Sequence, residues 1–128
     1  MRPSSALVVL LVAVSLEGKV IGVNELRLAL MDFVVPEWMI PIFICIAQHE
    51  SKFNTSFESL DGRKHGIFGI QNRLWCSPPG IGCGITCDSL RNEDLGNDVR
   101  CALQVFLETD RFLGQGWKAW DTYKFCHL

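Results

Sequence analysis

No block of like charges occurs in this 128-residue chain, whose formal net charge is −2. Without a basic stripe, nucleic acid and anionic membranes have nothing to hold electrostatically, and neither is an expected partner. Beyond the amino-terminal segment no apolar run is long enough to cross a bilayer. Repeats, linkers and low-complexity runs are also missing, which leaves one small domain. The three histidines, His49, His65 and His127, show no ligand spacing with a cysteine pair, so zinc is not expected, nor is any cofactor.

The chain opens on a segment that reads as removable. Arg2 supplies a positive start, Ala6 to Val14 is apolar, and Gly18 is a small residue suited to the last position before cleavage. The reading is a signal peptide over residues 1–18 and a secreted, monomeric domain over 19–128. The segment also inflates the hydrophobic fraction of 48%. Six cysteines, Cys45, Cys76, Cys83, Cys87, Cys101 and Cys126, fit a disulfide framework in such a chain. Sequence alone leaves their pairing open.

Leu26, Ala29, Leu30 and Phe33 recur at helical spacing, and Val35-Pro36 ends that run. A second helix is expected from about Pro41, with Ile42, Ile46 and Glu50 on one face and Phe43 and Ala47 beside them; a first-turn proline is tolerated there. Asp61-Gly62 signals a turn, and Gly66 to Asn72 alternates like a strand, which predicts a small hairpin or three-stranded sheet. A third helix is expected from about Asn92 to Leu107, burying Leu95, Val99, Ala102, Leu103 and Phe106. Gly114 and Gly116 bracket a turn before a short helical stretch with Trp117, Trp120 and Tyr123. Helices flanking a small β-lobe make an α+β domain with a cleft between lobes as a natural ligand site.

Glu50 ends an apolar helical stretch. Desolvation disfavours the charged form of a carboxyl, so an acid in such surroundings is a candidate proton donor. On the residues alone, an ordinary capped or solvated helical glutamate is the preferred reading. A longer pattern reverses that preference. Lys19-Val-Ile-Gly-Val-Asn-Glu-Leu26, Cys45-Ile-Ala-Gln-His-Glu-Ser51, His65-Gly-Ile-Phe-Gly-Ile-Gln-Asn-Arg-Leu-Trp-Cys76 and Gly116-Trp-Lys-Ala-Trp-Asp-Thr-Tyr-Lys-Phe-Cys126 follow one another in an order that resembles the animal C-type lysozymes and their non-hydrolytic relative α-lactalbumin.

That resemblance implies a lysozyme-like fold and the pairs Cys45–Cys126, Cys76–Cys87 and Cys83–Cys101. The family's remaining bridge joins its first and last cysteines; Asn24 stands at the first position, and no cysteine follows Cys126. The resemblance also implies a peptidoglycan β-1,4-muramidase with Glu50 as general acid. Gln71, Trp75 and Trp120 would be substrate-binding residues for peptidoglycan or chitin-type oligosaccharides, while Trp117 is assigned to the core.

Retaining glycosidases, of which lysozyme is the type case, hold two carboxyl groups roughly 5–5.5 Å apart. The family's second acid belongs to a hairpin motif, Asp-Gly-Ser-x-Asp-Tyr/His-Gly. Here Asp61-Gly-Arg-Lys-His-Gly66 is one residue shorter, has no acid before His65, and carries Lys64 at or beside the acid's position. A cation there opposes a developing oxocarbenium ion. Weak or absent hydrolysis is therefore expected, and an Asp inserted between Lys64 and His65 would restore the family spacing. A non-catalytic saccharide binder or an α-lactalbumin-like interaction protein are the competing readings. Asn92, Asp94, Asn97 and Asp98 align with the α-lactalbumin calcium loop, although helix capping accounts for them equally well.

Overall fold

Leu26 and Leu30, one helical turn apart, are both fully buried and define the inner face of helix α1, Val23–Asp32. The helix ends at Phe33, whose N–H reaches Ala29 O, and Val34 turns the chain at a positive φ of 58°. The computed structural model describes residues 19–127, so the expected signal peptide, residues 1–18, lies outside the described residues. A single 3-10 turn, Glu37–Met39, leads into helix α2, Ile40–Ser51, with Pro41 in its first turn as anticipated. Phe43, Ile46, Ala47 and Glu50 are all buried. Helix α2 stops at Lys52, which adopts a left-handed conformation and donates its N–H to Gln48 O.

Helix α3 runs Gly96–Leu113, shifted toward the carboxyl terminus from the expected span. The shift has a local cause at each end. Asn92 Oδ1 accepts from Asp94 N at 2.9 Å and Asp94 Oδ1 from Gly96 N at 3.0 Å, so this stretch is wound into side-chain turns before the helix begins. At the other end Gly114, with φ 75°, takes the left-handed position that stops the helix. Two short 3-10 turns follow, Gly116–Ala119 and Asp121–Phe125.

The β-lobe between α2 and α3 is smaller than the alternation implied. Strands β1, Lys64–His65, and β2, Ile70–Gln71, pair antiparallel, with Lys64 opposite Gln71 and His65 opposite Ile70. A bridge from Glu58 to His65 adds a third lane. Gly66 and Gly69 both hold positive φ, so the segment between the strands folds into a tight turn rather than an extended strand. Ile67, Phe68 and Ile70 are all buried, which is why the pattern looked like a strand. Strands β3, Cys76–Ser77, and β4, Ile85–Thr86, form a short parallel pair.

Three disulfides join Cys45 to Cys126, Cys76 to Cys87 and Cys83 to Cys101, and no cysteine is free. These are the pairs that the resemblance implied. Position 24, where the family's first cysteine would stand, is occupied by an exposed asparagine that accepts a hydrogen bond from Arg27 at 3.1 Å. The amino-terminal strand is instead stitched to the segment after α2. Ile21 N donates to Phe53 O at 3.0 Å, and Thr55 donates both its N–H and its hydroxyl to Lys19 O.

The core is an aromatic cluster beneath both lobes. Phe43 meets Trp117 at 5.0 Å and Trp120 at 5.8 Å between ring centroids, and Phe106 meets Trp117 at 4.6 Å. Offset and edge-on pairs at such distances add to the burial itself. Asp98 is an exception within this packing. Its side chain is fully buried in α3 under the Gly66 turn, and neither carboxyl oxygen has a hydrogen-bond partner. Burial raises its pKa to about 8, with the Asp94 charge adding to the rise; the nearby amides of Ile67 and of Asp98 itself, which lie outside hydrogen-bond geometry, oppose it only in part.

Candidate functional site

Glu50, Lys64 and Gln71 come together in a cavity of about 490 Å³ between α2, the hairpin and the final 3-10 turn. Helix α2 delivers Glu50 from its last turn. Ser51, beside it, donates its hydroxyl to Ile67 O at 2.7 Å and also lies within reach of Ala47 O, which clamps the helix end to the hairpin. Trp120 Nε1 adds a second clamp, donating to Phe68 O at 2.9 Å. Sequence reasoning missed both clamps, because each joins residues far apart in the chain.

The acid is not alone. Lys64 Nζ lies 3.1 Å from Glu50 Oε1 and 3.5 Å from Oε2, and Thr122 donates its hydroxyl to Oε2 at 2.8 Å. The Glu50 side chain is 2% exposed and that of Lys64 30%. Both carboxylate oxygens thus accept from donors, one of them a full cation. A general acid must present an O–H to the leaving oxygen, which is the opposite role. Hydrogen bonds to a buried ionised pair are strong, and pulling one partner away strands the other.

Gly69 makes this arrangement possible. It sits at φ 58°, and a Cβ built on it would come within 2.2 Å of Glu50 Oε1. The carboxylate therefore rests on the bare backbone of the hairpin turn.

Lys64, paired with Gln71 across the hairpin, itself points at the acid. His65 behind it is buried and holds the loop. Its Nε2 donates to Gly62 O at 3.0 Å, and Nδ1 accepts from Arg91. Burial first, and then the Arg91 charge, hold its pKa below the usual histidine value.

Asp61 lines the same cavity as Glu50. Its carboxylate accepts from Ser59 Oγ at 2.7 Å and Arg63 N at 3.0 Å, and these bonds hold its pKa down.

The tryptophans divide differently from expectation. Trp120 is 4% exposed within the aromatic cluster, so it is a packing and clamping residue and presents no free face for a sugar. Trp117 is core, as assigned. Trp75 is half-buried and lines a separate groove of about 440 Å³ with Leu74, Ile81, Phe112 and Leu113. Gln71 is exposed on the floor beside Glu50.

The loop aligned with a calcium site does not fit that ion. Asn92 and Asp94 cap backbone amides, Asn97 Oδ1 accepts from Arg100 at 2.9 Å, and Asp98 is buried under Gly66. Among the described residues, Asp94 and Asp98 belong to no cluster of three or more His, Cys, Asp or Glu ligand atoms. His65 lies with the sulfurs of Cys76 and Cys87 inside 4.8 Å, but both sulfurs are consumed by a disulfide and leave no thiolate to ligate a metal.

Residues 24–127 match the family described as C-type lysozyme/alpha-lactalbumin. Among similar proteins, Lysozyme E of Drosophila melanogaster is 33% identical, over 98% of this chain and 92% of its own length. Lysozyme C of Penaeus merguiensis is 38% identical, over 92% of this chain and 79% of its own. The crystal structure of a lysozyme from Litopenaeus vannamei superposes with a TM-score of 0.72 at 33% identity, covering 83% of this chain and 86% of that one.

Proposed function

The chain belongs to the C-type lysozyme/alpha-lactalbumin family, and from that premise we propose that it binds peptidoglycan or chitin-type oligosaccharides and hydrolyses them weakly or not at all. The observation that carries this reading is the ammonium of Lys64 at 3.1 Å from Glu50. A retaining lysozyme needs a negative group where positive charge develops on the sugar, and a cation there raises the barrier instead. The same cation occupies the acid that would protonate the leaving oxygen. Gln71, exposed in the Glu50 cavity, and Trp75, half-buried in the separate groove, are the saccharide contacts in this reading.

Residual muramidase activity is the second reading, favoured by Asp61 in the same cavity as Glu50. In that reading Glu50 is the acid and Asp61 replaces the missing partner. The protein acts as a secreted monomer released after Gly18, a placement supported by the apolar start of the chain and by three disulfides, which persist in oxidising compartments.

A turbidity assay on Gram-positive walls beside a chitooligosaccharide titration separates the readings. Binding without clearing supports the proposal, and clearing abolished by Glu50→Gln supports the muramidase. Neither binding nor clearing points to an interaction protein on the same scaffold.

A further inference from the structure

Arg63 and Gln71 line a second concavity beside the Glu50 cavity, of about 400 Å³, together with Asn72, Arg73 and Pro79. Two guanidiniums and two carboxamides surround it, and no carboxylate does. In a chain with net charge −2 such a pocket is a local reversal of sign. Neither cation is committed elsewhere. Arg63 makes one loose contact, 3.8 Å to Asp61, with both side chains largely exposed, and Arg73 has no ion pair among the described residues. The polar wall between them is fixed: Asn72 donates from Nδ2 to Gly62 O at 3.1 Å, and Gln71 is held in register opposite Lys64.

The adjoining cavity is richer in acids: Glu50, Asp61 and Asp121 line it, its lysine is already paired with Glu50, and Arg63 stands at the wall the two concavities share. An anionic group is repelled there and welcomed between the arginines. We infer that the cleft takes an acidic oligosaccharide, with the carboxylate or sulfate of one sugar seated between Arg63 and Arg73 and a neutral neighbouring sugar over Gln71 and the Glu50 cavity. This rests on the saccharide-binding reading and names the class of saccharide. Guanidinium groups match the planar, two-oxygen edge of such anions. A neutral chitin oligomer would leave both cations unpaired.

The test is calorimetric titration of the full secreted protein with neutral chitotetraose, a hyaluronan tetrasaccharide bearing only carboxylates, a chondroitin sulfate tetrasaccharide, and tetraglutamate as a charge control. The quantity read is the ratio of acidic to neutral affinity. One charge-assisted contact at a rim is worth roughly tenfold, so at least one acidic saccharide should bind about tenfold tighter than chitotetraose. The carboxylate and sulfate arms report which anion is preferred. Arg73→Gln and the Arg63→Gln/Arg73→Gln pair should collapse that ratio toward unity, and added salt should shrink it.

A ratio near unity in the parent protein, a ratio that survives both substitutions, or tetraglutamate binding as tightly as the saccharides would overturn the anion subsite. If chitotetraose binds and the acidic saccharides gain nothing, the subsite alone fails. If no saccharide binds, the reading beneath it fails as well.

Discussion

Replacing Asp98 with asparagine should make this protein more stable at neutral pH. The carboxyl is fully buried with both oxygens unpartnered, and its pKa is raised from 3.8 to about 8. As pH rises past 3.8 the unfolded chain releases this proton while the folded chain keeps it. Stability therefore declines between the unfolded and folded values, and below the unfolded value nothing is lost. Each unit of the gap is about 1.4 kcal/mol, so at pH 7, about three units above the unfolded value, Asp98 costs about 4 kcal/mol.

Asparagine has nearly the same shape and cannot ionise. Its amide brings donors that need acceptors, at about 1–3 kcal/mol if they stay unpaired. The expected net gain at pH 7 is about 1–3 kcal/mol, or roughly 4–8 °C in Tm for each kcal/mol in a domain of this size. Thermal melts of both proteins from pH 3 to 9 give the check, read as their difference so that other titrating groups cancel. The advantage of Asp98→Asn should be smallest below pH 4 and should grow until about pH 8. A pH-independent difference, or a variant less stable at pH 7, would refute the account of Asp98 as a buried carboxyl held protonated by its surroundings.

Lys64→Asp puts an acid at the position that faces Glu50, and wall hydrolysis should rise roughly a hundredfold or more, since such groups are worth about 3–4 kcal/mol of barrier. The Asp insertion before His65 should do worse, because a one-residue slip in β1 turns its side chains to the opposite face; the reverse ranking in a turbidity assay counts against the register. Trp75→Ala should weaken chitooligosaccharide binding by about 1–2 kcal/mol while sparing the fold, whereas Trp120→Ala should cost about 3–5 kcal/mol of stability in denaturant melts. The opposite split would return Trp120 to the cleft. His65 should titrate below its ordinary 6.5 in an NMR titration. Because its folded pKa is depressed, its contribution to stability is whole above that value and is lost as pH falls through it toward the folded pKa; a midpoint at or above 6.5 would contradict its burial beside Arg91.

The helices were legible because their signals are local. Leu26 and Leu30 mark α1 by period alone, and Pro41 marks the first turn of α2. The disulfide pairs were legible only through resemblance. The hairpin was expected, but its turn read as strand because Ile67, Phe68 and Ile70 are all buried around a glycine turn, and burial on every side imitates a strand in one dimension. Glu50 was singled out, and the wrong sign of Lys64 was noticed. Their ion pair was not, since it depends on a residue fourteen positions away and on the missing side chain of Gly69. The two tryptophans, three positions apart, looked separable into core and cleft, yet both pack against Phe43. Period says which residues share a helix face, and only tertiary packing says what that face meets.

The absent fourth bridge has a topological result. The Cys45–Cys126 bond closes a loop spanning 81 positions, and the other two bonds lie inside it. Residues 19–44, with α1 and its buried Leu26 and Leu30, hang outside any covalent ring. That segment is held by packing and by a few strand-like hydrogen bonds to Phe53 and Thr55, so it can peel away while every disulfide stays intact. Amide exchange should then divide the molecule into a ringed body that opens only globally and an amino-terminal flap that opens on its own at lower free energy. In a relative whose first and last cysteines are joined, the same flap would be locked into the cooperative unit.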